Sequence, residues 1–165
     1  MRSLKPFLKM GGRFLKIEVV YPGRIKNSFA KEGFEEYLKR LNRFFKLSIV
    51  SIPSCRSSDR KRCVEEESKK LLKYIGSREF ILLDVEGKEL NTSEFSQFIG
   101  KHLDSARDLT FVVGGVYGVS AEVKKRSDLS LSLSRMTFTH SITLMILAEQ
   151  LYRAAKILSG QPYDH

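Results

Sequence analysis

The hydrophobic and polar positions of this chain alternate between short apolar runs and longer stretches of helical periodicity. From Phe34 to Phe45, apolar side chains recur at spacings of three, four and seven residues, which indicates an amphipathic helix. Residues 80–85 form a nearly continuous apolar run, typical of a strand buried on both faces. The pattern predicts strands at 14–20, 47–52, 80–85, 109–113 and 129–133, and helices at 34–45, 65–74, 92–103, 120–126 and 141–158.

Five strands alternating with five helices favour an α/β domain with a mainly parallel sheet and helices on both faces. A length of 165 residues fits one domain. We therefore expect a single domain over 14–165, preceded by a basic extension at 1–13. The last helix carries Glu149, Arg153 and Lys156, which argues against a membrane span. Its other residues are apolar almost all round, so it must be covered, and a homodimer would cover it.

The net charge of +10 is distributed unevenly. Residues 1–80 carry 20 basic and 9 acidic side chains, whereas residues 81–165 carry 9 and 10. This asymmetry indicates either a surface for a polyanion such as RNA or simply solvated helix faces. The candidate phosphate contacts lie on the first predicted helix and in a polar loop at 53–62: Lys39, Arg40, Arg43, Arg56, Arg60, Lys61 and Arg62.

The cysteine and histidine content argues against a metal site. Cys55 and Cys63 are too few for a disulfide framework, and the three histidines are scattered along the chain. We expect no secretory signal before the domain, because residues 1–13 lack an apolar core of sufficient length. A reducing cytoplasm is the simplest compartment for such a chain.

Three predicted strand ends carry unusual sequences, at 83–88, 113–120 and 132–140. Ligands of open α/β sheets bind beyond the carboxyl ends of the strands, so these segments are the candidate site. Gly114 and Gly115 follow a buried strand, yet neither the dinucleotide-binding nor the P-loop glycine pattern is present. Adjacent glycines let a ligand approach the backbone closely, or simply make a tight turn.

Five segments together resemble one known family. The chain resembles the RlmH family of SPOUT methyltransferases in the order and spacing of these segments, which are LLDVEGK, FVVGGVYGVS, SLSLSRMTFTH, AEQLYRA and the terminal QPYDH. The resemblance covers about residues 14–165. It implies a C-terminal trefoil knot, an obligate homodimer, S-adenosylmethionine as cofactor, and methylation of N3 of a pseudouridine in large-subunit ribosomal RNA, with assembled ribosomes as the expected substrate.

The resemblance also implies two sets of site residues. Each has a plainer interpretation: the apolar members could be ordinary core, His140 could cap a helix, and Glu149 and Arg153 have the spacing of an ion pair. The implied cofactor contacts are Leu83, Gly115, Ser134, Arg135, Met136, Thr137, Phe138 and Thr139. The implied catalytic residues are His140, Glu149, Arg153, Tyr163 and His165.

The sequence departs from the family pattern at three places. Val116 and Tyr117 stand where many relatives have Pro-Glu, so no role of that acid can transfer. Thr139 and Ser141 replace prolines that flank the histidine in many relatives, and the chain ends in Asp164-His165 instead of a basic tail. Two alternatives therefore stay open: methylation of another ribosomal or transfer RNA base, and a non-catalytic protein that binds RNA or ribosomes.

Overall fold

A five-stranded parallel sheet forms the centre of the protein. The computed structural model describes residues 9–10 and 13–162. The sheet comprises β3 (Lys16–Pro22), β4 (Lys46–Ile52), β5 (Ile81–Glu89), β6 (Leu109–Val113) and β7 (Leu129–Ser132), in the spatial order β4–β3–β6–β5–β7. Two short strands near the N-terminus, β1 (Lys9–Met10) and β2 (Arg13–Phe14), pair antiparallel.

Helices cover both faces of this sheet. They are α1 (Ser28–Leu41), α2 (Arg60–Ile75), α3 (Thr92–Asp104), α4 (Ala121–Arg126) and α5 (His140–Leu158). α1, α3 and α5 pack on one face, which we call the α5 face, around the larger core cluster. α2 and α4 pack on the other, the α2 face, around a smaller cluster. The expected α/β class is confirmed, while the trefoil knot and the division at residue 13 stay predictions.

Side-chain caps fix where three of the helices begin. The Asp59 side chain accepts a hydrogen bond from the Arg62 amide and starts α2, and Ser120 caps α4 in the same way. α3 begins with a full capping box between Asn91 and Glu94. Such caps satisfy amide groups that the first helical turn leaves without partners, so the helix starts are set by local chemistry.

The structure corrects several predicted boundaries. α1 spans 28–41 instead of 34–45, and Phe44 and Phe45 are buried in the turn that follows it, where their amides bond to the Leu41 carbonyl. α2 begins at Arg60 instead of residue 65, so the last three residues of the predicted loop 53–62 form its first turn. β5 extends to residue 89 and is buried only at its start, since Val85 is 45% exposed.

The C-terminal helix is largely covered within its own chain. α5 packs between α1 and α3, and Leu144, Leu147 and Leu151 on its inner side are fully buried. Ile157 is an exception, at 42% exposed. The apolar character of α5 is therefore explained without a partner, and the homodimer stays a prediction. Among the described helices, none combines the length and apolar character needed to cross a bilayer.

Candidate active site at the carboxyl edge of the sheet

The loop after β6 forms a tight turn at the carboxyl edge of the sheet. The Gly118 amide donates a hydrogen bond of 3.0 Å to the Gly115 carbonyl, which places Val116 and Tyr117 at the tip of a four-residue turn. Gly118 has φ +81°, a left-handed conformation that favours glycine. Beyond the turn, the Ser120 amide donates to Ser68 Oγ on α2 at 2.9 Å.

Gly115 is required by close packing against α2. A Cβ atom at this position would lie 2.2 Å from Glu67 Oε2 and 3.1 Å from Pro22 Cγ. Glu67 is 8% exposed, and its Oε1 accepts a hydrogen bond of 2.8 Å from the Cys55 amide. A larger residue at 115 would therefore first displace Glu67 on the α2 face. Sequence reasoning missed Glu67 and Ser68, because nothing in a run of glutamates marks which one turns inward.

A disulfide closes the loop between β4 and α2. Cys55 lies in the loop and Cys63 in the first turn of α2, with Cα atoms 5.1 Å apart, within the range that a disulfide spans. Two cysteines are too few for a disulfide framework, but they form this single bridge. The bridge holds the basic segment next to the glycine turn.

The predicted phosphate contacts separate into two groups at opposite edges of the sheet. The α2 group consists of Arg56, Arg60, Lys61 and Arg62; all four are exposed at the carboxyl edge, where β4 ends and α2 begins. The α1 group consists of Lys39, Arg40 and Arg43; it lies where α1 ends, before β4 begins, and hence at the amino edge. Arg40 is also paired with Glu36 at 2.8 Å. The two groups do not form one surface.

β5 leaves the sheet briefly beside β7. Its register moves from Leu83 opposite Leu131 to Lys88 opposite the same residue, so residues 84–87 form an excursion at the carboxyl edge. Lys124 of α4 binds Asp84 and Glu86, each at 2.8 Å. Gly87 lies directly against β7, where a Cβ atom would be 2.7 Å from the backbone of Leu131.

A cavity of about 280 Å³ lies on the α5 face below these strand ends. That volume is near the lower end of small-molecule sites, which span roughly 300–1,000 Å³. Leu83 lines it, as expected of a cofactor contact, and a hydrogen bond of 3.0 Å from Thr92 Oγ1 to Gln150 Oε1 lies at its wall. The walls are mostly apolar: Leu83, Leu90, Asn91, Thr92, Phe95, Phe111, Leu131, Ser132, Leu133, Ile146, Leu147 and Gln150.

The other predicted cofactor contacts lie outside the cavity lining. The loop over 134–139 follows directly from Leu133 at the cavity wall, and the Ser134 side chain accepts a hydrogen bond of 3.0 Å from the Met136 amide. Arg135 forms an exposed ion pair with Glu89 at 3.1 Å. The remaining members are exposed in the single chain, Met136 at 73% and Phe138 at 39%, together with Thr137 and Thr139.

His140 begins α5 and packs beside the end of β3. Its ring centroid lies 5.4 Å from that of Tyr21, and burial lowers the pKa of its imidazole. Its Nε2 is buried and has no hydrogen-bond partner among the described residues. An unpaired buried polar atom costs about 1–3 kcal/mol, so the ring would gain stability by turning toward a hydrogen-bond partner. Burial is also the main cause of a raised pKa at Tyr21.

Glu149 and Arg153 lie away from His140 on the same helix. They form the ion pair that their spacing predicts, and Gln150 Nε2 donates to Glu149 at 2.8 Å. At 1.5 Å per residue, they lie about 13 Å and 20 Å along α5 from His140. Of the predicted catalytic residues that the structure describes, His140, Glu149 and Arg153 are thus not brought together within one chain. Tyr163 and His165 lie outside the described residues.

These features fit a bound cofactor that combines apolar and polar parts. The cavity provides apolar walls, and the strand ends beside it provide backbone groups. S-adenosylmethionine, with its adenine, ribose and methionine parts, matches this combination. Leu83 and residues 131–133 would hold it on the cavity side, and the loop over 134–139 would cover it.

Comparisons with known proteins agree with this geometry. A family profile described as "Predicted SPOUT methyltransferase" matches residues 15–165. "Ribosomal RNA large subunit methyltransferase H" of Dictyoglomus thermophilum is 40% identical over 153 residues, covering 92% of this chain and 100% of that protein. The protein of the same name from Thermodesulfovibrio yellowstonii is 41% identical over 151 residues, covering 91% and 99%.

A solved structure supports the fold. "Probable Methyltransferase from Bordetella pertussis Tohama I" superimposes with a TM-score of 0.51 and 9% identity, covering 85% of this chain and 95% of that one. With the profile match over nearly the whole length, the expected family is confirmed. The chain belongs to the SPOUT methyltransferases and is a methyltransferase that uses S-adenosylmethionine.

Proposed function

We propose that the protein methylates N3 of a pseudouridine in large-subunit ribosomal RNA, with assembled ribosomes as its substrate. The choice of RNA is supported by the 40% identity, over the full length of the relative, to a protein named for methylation of that RNA, whereas N3, the pseudouridine and the assembled ribosome follow from the family resemblance. The carboxyl-edge cavity and the exposed α2 group are compatible with it. A ribosomal substrate places the reaction in the cytoplasm.

The chemistry of the base defines what the site must do. S-adenosylmethionine supplies an electrophilic methyl group for an in-line displacement, so the chain chiefly aligns donor and acceptor. N3 of a uracil-type ring is a poor nucleophile until its proton is removed or shared. We assign that task to His140. While the ring is buried its pKa is lowered, so the imidazole is neutral near pH 7 until it turns toward the base and accepts the proton.

This role requires the His140 ring to move. Its Nε2 is enclosed beside Tyr21, so it reaches a base only after turning outward when RNA binds. The roles of Tyr163 and His165 in placing the base follow from the family resemblance and belong to the same proposal. Glu149 and Arg153 lie too far along α5 to reach the same base from the same chain. Their participation requires a homodimer in which a second copy supplies them.

Two measurements test this function. Calorimetric titration with S-adenosylmethionine should show saturable binding, and an absence of heat would overturn the proposed reaction. Transfer of labelled methyl groups should then be compared on assembled ribosomes, free ribosomal RNA and transfer RNA, with and without residues 163–165. Label confined to transfer RNA would replace the proposed substrate with another one.

The position of the methyl group needs its own assay. Methylation at N3 blocks the Watson–Crick edge, so reverse transcription should stop at the modified base. Ribosomes that carry uridine instead of pseudouridine at that position provide the matched control. Equal transfer to both kinds of ribosome would show that the enzyme does not read pseudouridine.

A Gly115→Ala variant tests the placement of the glycine turn. Its Cβ atom collides with Glu67, so we expect weaker binding of S-adenosylmethionine as the turn shifts. Combining it with Glu67→Ser makes room and should recover part of the affinity. Unchanged affinity in Gly115→Ala would separate this turn from the cofactor site.

A further inference from the structure

Arg60 and Tyr117 form an exposed stacked pair beside the glycine turn. The guanidinium carbon of Arg60 lies 5.0 Å from the ring centroid of Tyr117, close enough for a cation–π contact. Tyr117 remains 41% exposed, and its neighbour Val116 is 83% exposed. The aromatic ring thus lies at a turn tip, held by a planar cation and open to solvent.

The turn that carries Tyr117 is held in place at several points. Gly115 and Gly118 close it by a backbone hydrogen bond, and Gly115 lies directly against Glu67. At its end, the Ser120 amide donates to Ser68. α2 therefore contacts the turn through Glu67, Ser68 and Arg60. A ring fixed in this way loses little conformational entropy when a ligand stacks on it.

The charge around this pair is arranged for an anion. Arg60, Lys61 and Arg62 occupy the first turn of α2 and exposed Arg56 lies nearby, so these four cations outnumber the one carboxylate at this end, that of the Asp59 cap. Cations at a helix N-terminus oppose the helix dipole and cost stability. A phosphate at this end would offset both the dipole and the mutual repulsion of the side chains. Exposed aromatic and basic groups side by side match single-stranded RNA, whose bases stack and whose phosphates pair with cations.

We propose that Tyr117 and Arg60 form a stacking platform for an unpaired base of the RNA substrate, next to the base that is methylated. Arg56 and Lys61 contact the phosphates on either side of it. The inference rests on the proposed function for the identity of the RNA. The platform itself follows from the stacked pair, its exposure and the charge around it.

The experiment uses a short single-stranded RNA that contains 2-aminopurine, whose fluorescence is quenched when it stacks. The native protein should quench it on binding. Tyr117→Leu should bind about 5- to 30-fold more weakly and lose the quenching, because stacking on one aromatic ring contributes most of that factor. Tyr117→Phe should retain both. Binding of S-adenosylmethionine and the melting temperature of Tyr117→Leu should match the native protein.

The chain offers a closely matched control. Arg78 lies 5.1 Å from the ring of Tyr74, which is 40% exposed, but this pair lies at the opposite end of α2. Tyr74→Leu should leave RNA affinity and quenching unchanged, although it also removes a hydrogen bond to Glu18 and should be measured well below its melting temperature. An equal loss in both leucine variants would overturn the platform.

The remaining outcomes separate the platform from the proposed function. No quenching by the native protein, or full quenching by Tyr117→Leu, overturns the platform even if ribosomes are methylated. Quenching that depends on Tyr117 without methyl transfer to ribosomes supports the platform and overturns the proposed substrate. Reduced transfer to ribosomes by Tyr117→Leu, with a raised KM and unchanged kcat, supports both.

Discussion

The helices on the two faces of the sheet are held in place by different kinds of interaction. On the α5 face, α1, α3 and α5 pack through a large apolar core that encloses the cavity. On the α2 face, the apolar cluster is smaller, and polar contacts are added at the middle of α2 and just beyond its C-terminus. Glu67 and Ser68 hold the glycine turn, and Arg78 pairs with buried Glu18. Under the proposed function, the cofactor would lie in the apolar enclosure on one side, and the RNA would contact the fixed polar and basic groups on the other.

The largest expected effect comes from removing core volume on the α5 face. Leu147 is 1% exposed and also lines the cavity, so Leu147→Ala should lower the free energy of unfolding by about 2–5 kcal/mol. Urea denaturation measures this loss. Ile157→Ala, on the exposed part of the same helix, is the control and should change stability by at most about 0.5 kcal/mol. Equal effects would contradict the apolar attachment of α5.

The next effect concerns the disulfide on the α2 face. Replacing both Cys55 and Cys63 by serine should cost about 2–3 kcal/mol, because the bridge closes a short loop in the unfolded chain. Thermal unfolding with and without reductant measures the stabilisation by the disulfide in the native protein. The double variant should not respond to reductant. A native protein that is equally insensitive would show that the bridge does not stabilise the loop.

A smaller effect on stability is expected from Glu18 at acid pH. Burial acts to raise the pKa of Glu18, but the hydrogen bond and charge of Arg78 and the charge of Lys16 outweigh it, and the pKa lies below its usual range. A carboxylate with a lowered pKa stabilises the fold above its unfolded pKa, about 4.3, and loses that contribution as pH falls through the folded pKa.

Glu18→Gln tests this contribution. It should cost about 1.5 kcal/mol near pH 7, the low end for a hydrogen bond to a charged group, because Arg78 is partly exposed. The difference in stability between the native protein and the variant should narrow as the pH falls below about 4. Thermal unfolding from pH 7 to pH 3 measures it. A gap that stays constant would mean that the carboxylate charge of Glu18 adds nothing.

The sequence predicts the fold better than it predicts the site. Periodicity finds all five strands of the sheet, since apolar residues run or alternate through each, and the family resemblance places Leu83 and Gly115 near strand ends. Periodicity misplaces α1, because Phe44 and Phe45 continue the helical spacing although they pack in a turn. It also cannot show that Glu67 turns inward or that Arg60 reaches Tyr117, 57 positions later in the sequence. Those contacts depend on how α2 meets the glycine turn, which only tertiary packing decides.

The smallest effects compare the two basic groups through the salt dependence of RNA binding. Each phosphate contact contributes about 0.7–0.9 log units of affinity per log unit of salt. The double variant Arg56→Ala, Lys61→Ala should lower that slope by the contribution of up to two phosphate contacts. Both residues lie at the carboxyl edge with the candidate site. Lys39→Ala with Arg43→Ala removes the same charge at the amino edge and should change the slope less. Filter binding of a ribosomal RNA fragment over a salt series measures both. An equal reduction of the slope in the two double variants would mean that RNA spans both edges. A larger reduction in the variant of the α1 group would place the RNA surface away from the glycine turn.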